Sequence, residues 1–370
     1  MGQLKHKSKN LPTKHAWVIS KRVFPLFYNP FRILFLTQGN FINVFPYGSF
    51  KALKGVVYIF DSINDKGNIR WLLISSLKGI SQVILIENAV SGFIILVAIT
   101  VASYSLGLIA FFSAVVGTLV GKIGGADPES VSQGLFGYNS VLTGMALSLF
   151  LTSDDRWIIA LFGAAISAIF TAAMMHFMRQ SGIPILTFPF IALTWFLLLT
   201  TYRLVSFNLS PDLVPQSLTT WKLNIEGKEN ETWLEGAVHG IGQIFFLDET
   251  LSGILLFVAV FWAGWRFGLY AIVGNVAALI TAYFLGGEHH VIFLGLYGYN
   301  AILSIIAVSI VFKDNERHGL LIGILTACLT VPITASIATW LLPFGLPALT
   351  MPFVLCTWLI LGSRKVLPKL

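Results

Sequence analysis

Two stretches of this chain, 161 residues apart, are versions of one another, so any fold must give both equivalent surroundings. Gly79-Ile80-Ser81-Gln82 returns as Gly240-Ile241-Gly242-Gln243, and Ser91-Gly92 returns as Ser252-Gly253. Gly134-Leu135-Phe136-Gly137-Tyr138-Asn139-Ser140-Val141-Leu142 returns without a gap as Gly295-Leu296-Tyr297-Gly298-Tyr299-Asn300-Ala301-Ile302-Leu303. A third echo, Pro184-Ile185-Leu186-Thr187-Phe188-Pro189-Phe190, returns as Pro347-Ala348-Leu349-Thr350-Met351-Pro352-Phe353, two residues out of step. Both copies are strongly apolar. Duplicated membrane units often build one path at their internal axis, so the matched residues mark where to look for it.

Only 11% of the residues are charged and 56% are hydrophobic. A soluble domain carries about 25% charged residues, so most of this chain faces lipid or a large apolar core. Apolar runs at 157–177, 183–202, 255–284 (long enough for two segments), 291–312 and 320–342 have the roughly 20 residues a bilayer span needs. The sequence therefore predicts an all-α polytopic membrane protein in a lipid bilayer.

The net charge of +7 does not point to a nucleic acid, because the cations lie at the ends. Half of the 24 Lys and Arg residues fall within residues 1–78, and Arg364, Lys365 and Lys369 close the chain. Basic flanks stay on the cytoplasmic side, which places both termini in the cytoplasm and makes the span count even. The start is too polar for a secretory signal, and Tyr28-Asn29-Pro30 and Arg32 interrupt its first apolar stretch. The stretch 207–233 carries Asp212, Glu226, Glu229 and Glu231 and is the natural outside loop; its Asn230-Glu231-Thr232 matches a glycosylation acceptor.

Four parts follow: a basic cytoplasmic lead-in (1–68), a first repeat (69–206), the outside loop (207–233), and a second repeat with a short tail (234–370). One outside loop between halves with both ends inside makes each half cross an odd number of times, so the two repeats are inverted. About five transmembrane helices plus a re-entrant half-helix fit each half. The re-entrant pieces are placed by Val83-Ile84-Leu85-Ile86 before Glu87-Asn88, and by Ile244-Phe245-Phe246-Leu247 before Asp248-Glu249. Matched, interrupted segments in the two halves point to a binding site.

Gln82 and Gln243 stand at equivalent points beside these breaks, where a paired amide lines a path more readily than it glues helices. Thr187 and Thr350 each precede a proline by two residues. Their hydroxyls either bond back to their own helices or narrow a pore. Leu85 and Phe246 lie three residues past each Gln, and Leu142 and Leu303 close the two Gly-Leu-x-Gly-Tyr-Asn copies. Such apolar positions usually pack a core, and beside amides and hydroxyls they would also wall a slot for a flat polar molecule. The acids Glu87, Asp248 and Glu249 flank the breaks and are candidates for ion coupling. His176, His239, His289 and His290 have no repeat partners, and neither a metal spacing nor a phosphate-binding loop is present. No cofactor and no enzyme chemistry is expected. Cys328 and Cys356 lie in apolar segments and build no disulfide framework.

The paired Gly-Ile-x-Gln, the two Gly-Leu-x-Gly-Tyr-Asn motifs and the doubled Pro-x-x-Thr-x-Pro-Phe resemble the urea transporter family over roughly residues 75–362. The resemblance implies a homotrimer with one channel-like pore in each subunit, through which urea passes downhill between two slots and a central constriction. It implies Gln82 and Gln243 as slot amides, Leu85, Phe246, Leu142 and Leu303 as slot walls, and Thr187 and Thr350 as the constriction. Two positions depart from the family pattern: Leu85 stands where an aromatic is usual, and Ile183 where Leu is usual. The chemistry agrees with the resemblance. Urea is flat and neutral with four N–H donors, and each donor left unpaired in a dry slot costs about 1–3 kcal/mol, so a row of acceptors lowers its barrier while dehydration excludes ions. The rival is an ion- or proton-coupled carrier of another small polar solute.

Overall fold

The structure, a computed structural model, describes residues 66–204, 207–211, 213–219, 232–312 and 319–367. The lead-in up to residue 65 and the acceptor Asn230 lie outside the described residues. Everything described is helix, turn or loop, apart from one isolated antiparallel bridge between Leu151 and Leu209.

The first half contains α1 (Lys66–Gln82), α2 (Ala89–Ala102), α3 (Tyr104–Ile123), α4 (Pro128–Ser132), α5 (Gly137–Phe150), α6 (Arg156–Met178) and α7 (Phe188–Thr200). The second contains α8 (Trp233–Gly242), α9 (Thr250–Ala263), α10 (Trp265–Phe284), α11 (His289–Phe293), α12 (Gly298–Ile306), α13 (Gly319–Leu341) and α14 (Met351–Arg364). The bounds of α2, α3 and α4 recur in α9, α10 and α11 at the sequence spacing of 161, while α6 recurs in α13 at 163. The two-residue slip seen in the third motif therefore enters between α5 and α6: residues 151–155 link these helices, but residues 312–318 follow the equivalent stretch of the second half.

Local chemistry sets the helix ends. The Asn88 side chain accepts from Val90 and Ser91 N–H and starts α2, while Thr232 and Glu235 form a reciprocal capping box that starts α8. Asp127 caps α4, and the Ser130 N–H it accepts holds its carboxyl below the usual carboxylate range. Pro189 and Pro352 sit in the first turns of α7 and α14, where a missing donor costs nothing.

Four described helices, α3, α6, α10 and α13 (with its 3₁₀ extension to Phe344), are long and apolar enough to cross a bilayer singly. Others are shorter than the apolar runs suggested. The run 183–202 yields a helix only from Phe188, because Leu186 adopts a left-handed φ of 51°. The run 255–284 divides at Gly264. The run 291–312 divides at 294–297, where Gly295 has φ 77°. The division of 255–284 gives the two segments its length allows, whereas within 183–202 and 291–312 the backbone departs from helix inside an apolar stretch, which hydropathy alone does not register.

Outward-facing side chains such as Ile158, Phe162, Leu325 and Phe284 are large, apolar and exposed, as expected for surfaces turned to hydrocarbon. Inside, small residues and hydroxyls let helices approach. Ser91 Oγ on α2 donates to Ala259 O at 2.8 Å, and Ser252 Oγ on α9 donates to Ala98 O at 3.0 Å. The Ser-Gly echo in the sequence is thus a reciprocal bond joining the two halves.

Candidate functional site

Each half breaks where the sequence predicts. The α1 helix stops at Gln82, and Ser81 Oγ donates to Ile86 O at 2.7 Å while accepting from Asn88 N–H, which pins the break. In the second half a 3₁₀ turn, Gln243–Phe245, follows α8, and the chain then bends by 75° into α9. Leu85 and Phe246 both take φ 60° at the turn. Leu186 and Leu349 both take φ 51°, immediately before the two threonines. These are the positive-φ residues other than glycine among the described residues, and they form two repeat pairs. A left-handed conformation costs roughly 1–2 kcal/mol for a residue with a side chain. Strain of this kind persists only where the surroundings over-determine it, and it clusters at functional sites.

The Gly-Leu-x-Gly-Tyr-Asn motif supplies those surroundings. Tyr138 Oη donates to Leu186 O at 2.7 Å, joined by Asn139 Nδ2 at 3.4 Å. Tyr299 Oη donates to Leu349 O at 2.6 Å, again joined by the asparagine, Asn300 Nδ2, at 3.4 Å. Asn300 Oδ1 also accepts from Phe353 N–H at 3.1 Å. The glycines of the motif bring these side chains into range. Gly134, at φ 83°, packs so closely on the backbone of Gly79 that a side chain at Gly134 would collide with it, and Gly295 meets Gly240 in the same way.

A second pair of clamps crosses between the halves. Trp195 Nε1 on α7 donates to Pro347 O at 2.9 Å, and Trp358 Nε1 on α14 donates to Pro184 O at 2.7 Å. The carbonyls of each Pro-x-x-Thr segment are thus held by a tyrosine from one direction and by the opposite half's tryptophan from another. Sequence reasoning missed the tryptophans; their common spacing of eight residues beyond each threonine was the available signal.

Between these clamps, Thr187 Oγ1 and Thr350 Oγ1 lie 2.7 Å apart in a hydrogen bond, with the two residues only 2% and 4% exposed. Neither hydroxyl bonds back to its own helix. Next to Thr187, a cavity of about 620 Å³ is bordered by Gln82, Leu85, Tyr138, Leu186, Val311 and Phe312, and by the charged Glu87 and Arg179. Gln82 Nε2 donates to Gln133 O at 3.1 Å, which orients the amide and leaves its oxygen as an acceptor. Gln243, its repeat partner, is half-buried. Phe246 packs edge-on against Phe150 with ring centroids 5.7 Å apart. Leu142 and Leu303 are fully buried, one helical turn beyond Tyr138 and the second half's Tyr299, and do not line this cavity.

Charge reaches the cavity through exposed side chains, Glu87 and Arg179. Among the described residues no acidic, basic or histidine side chain is buried. Glu87 is exposed and paired with Lys78 at 2.7 Å, and Asp248 and Glu249 are exposed. His239 bonds Phe293 O and Thr250 Oγ1, His176 is exposed, and His289 stacks on Tyr283. No group of three or more metal-ligating side chains occurs among the described residues.

Comparison with known proteins agrees with the motif resemblance. The family model described as Urea transporter matches residues 73–365. The chain is 28% identical over 298 residues to Urea transporter 1 of Ovis aries, and equally to that of Mus musculus, covering 77% of this chain and 75% of each relative.

Proposed function

This chain belongs to the urea transporter family, and on that premise we propose that it conducts urea passively across the cell membrane through a path at the junction of its two halves. The observation that carries this reading is the Thr187–Thr350 contact, which brings one buried hydroxyl from each half to one point. A urea molecule crossing there exchanges the mutual threonine bond for bonds from its own N–H groups, so the constriction offers acceptors at the moment of passage. Gln82 and Gln243 accept from urea on either side. Leu85 and Phe246 hold its faces, and Leu142 and Leu303 back the constriction.

Inversion of the halves is supported by how α6 and α13 run. The start of α6 adjoins the segment 207–210, through Thr152 N–H to Asn208 O and Ser210 N–H to Phe150 O. The end of α13 adjoins the neighbouring stretch, through Gln216 N–H to Leu342 O, with Tyr202 Oη bonding Phe344 O nearby. The start of α6 and the end of α13 thus lie beside one stretch of chain, which is the arrangement an inverted pair of helices requires. With the segment 207–219 outside, both termini are cytoplasmic, and the subunits assemble as homotrimers with one path each. The exposed positions of Glu87, Asp248 and Glu249 give an ion-coupled carrier no buried acid to work with.

Stopped-flow urea uptake into proteoliposomes tests this reading. Flux is expected to follow the urea gradient and to ignore sodium, proton gradient and membrane potential. Uptake that collapses when the proton gradient is dissipated overturns it.

A further inference from the structure

A second cavity, of about 600 Å³, opens in the second half where the end of α10 and the start of α11 face α13. The sequence explains the space. Gly286 and Gly287 follow α10, and α13 contributes Pro332, Ala335 and Ala338, none of them large enough to fill it. Gln243, Phe246, Leu303 and Thr350 do not border it, so none of the side chains placed along the urea path belongs to it. Its volume is that of a small-molecule site. The polar groups around it share one character. Glu288 contributes a half-buried carboxylate. Ser336 Oγ donates to Pro332 O and Thr339 Oγ1 donates to Ala335 O, both at 2.8 Å, so each hydroxyl proton is engaged and only lone pairs remain. Tyr297 adds an aromatic ring. Among the described residues that border the cavity, none carries a positive charge.

The equivalent acid of the first half has a different task. Asp127 stands 161 residues before Glu288 and accepts from Ser130 N–H at 3.0 Å and from Ser130 Oγ at 2.8 Å. Val291 takes the place of that serine in the second half, and Glu288 forms no such cap bond at the start of α11. Glu288 and Val291 both border the cavity instead. The repeat has thus exchanged a carboxylate that serves its own helix for one that faces a space.

We propose that this cavity binds a small hydrophobic amine in its protonated form. The ammonium meets the Glu288 carboxylate and the hydroxyl lone pairs, and the Tyr297 ring attracts the same charge. The apolar body lies against Leu285, Val291, Val331 and Leu342. An anion of the same size meets the charge of Glu288 and finds no bordering cation among the described residues.

Isothermal titration of the full chain in phosphatidylcholine nanodiscs tests this. The probes are 2-phenylethylammonium and 2-phenylethanol, which share a body and differ in charge, and empty discs correct for partition into lipid. The ammonium is expected to bind about tenfold more tightly than the alcohol, as a hydrogen bond between charged groups requires. Glu288→Gln is expected to lower its affinity to that of the alcohol. Ala335 is exposed, so Ala335→Trp fills the cavity without burdening the core and leaves Glu288 in place. That variant is expected to weaken the ammonium at least tenfold. Each variant is first shown to unfold at the wild-type temperature; should Glu288→Gln fail this, Ala335→Trp and the comparison of the two probes decide. Equal affinity for the two probes, unchanged ammonium binding in either variant, or no binding above the empty discs overturns the proposal.

Discussion

At the scale of single residues, Thr187 and Thr350 carry the most weight. Their mutual bond joins the halves, and their oxygens are the acceptors at the narrowest point of the proposed path. Valine keeps the shape of threonine and removes the hydroxyl. Thr187→Val is therefore expected to raise the barrier to urea by about 1–2 kcal/mol, roughly a tenfold slowing of stopped-flow flux, and Thr350→Val should match it. Thr→Ser keeps the oxygen and costs less. Unchanged rates in both valine variants would reduce the pair to a bolt between the halves. The threonines were visible in the sequence because they repeat. The strain beside them was not: Leu186, Leu349, Leu85 and Phe246 adopt left-handed backbone with side chains that ordinarily avoid it, where glycine or asparagine would have given notice.

At the scale of elements, the crossed tryptophans show how two short helices are held in place. The Pro-x-x-Thr segments precede α7 and α14, and each has its proline carbonyl bonded by the helix of the other segment. Trp195→Phe removes the donor and leaves Pro347 O without its indole partner. A loss of about 1 kcal/mol is expected in thermal unfolding of the detergent-solubilised protein, with the same loss for Trp358→Phe. A clear difference between the two variants would show that the clamps are not equivalent. The long helices α6, α10 and α13 were legible from hydropathy, since they follow the apolar runs at 157–177, 255–284 and 320–342, whereas none of those runs covers α3. The breaks within 183–202 and 291–312 were not, because they arise from carbonyls gripped by Tyr138 and Tyr299 and from glycines pressed against Gly79 and Gly240, contacts distant in sequence.

At the scale of the whole molecule, the halves are joined by reciprocal bonds: Ser91 with Ser252's helix and the reverse, the two tryptophans, and the threonine pair. Cohesion at this junction does not depend on the connecting chain. Two co-expressed fragments divided after Glu226 are therefore expected to co-purify when only one carries a tag, and to retain urea flux. Fragments that fail to associate would show that the covalent link is needed for assembly. The duplication was legible in the primary structure, down to the two-residue slip, but which side chains reach across it was not.

The crossed clamps also have a consequence for descent. Each Trp–Pro bond takes its donor from one copy and its acceptor from the other, so a single ancestral half had no partner for either within its own chain. Two copies of such a half, joined by the same crossed bonds, would satisfy both clamps without a connecting chain. Each tryptophan thus holds the segment that carries the opposite half's threonine.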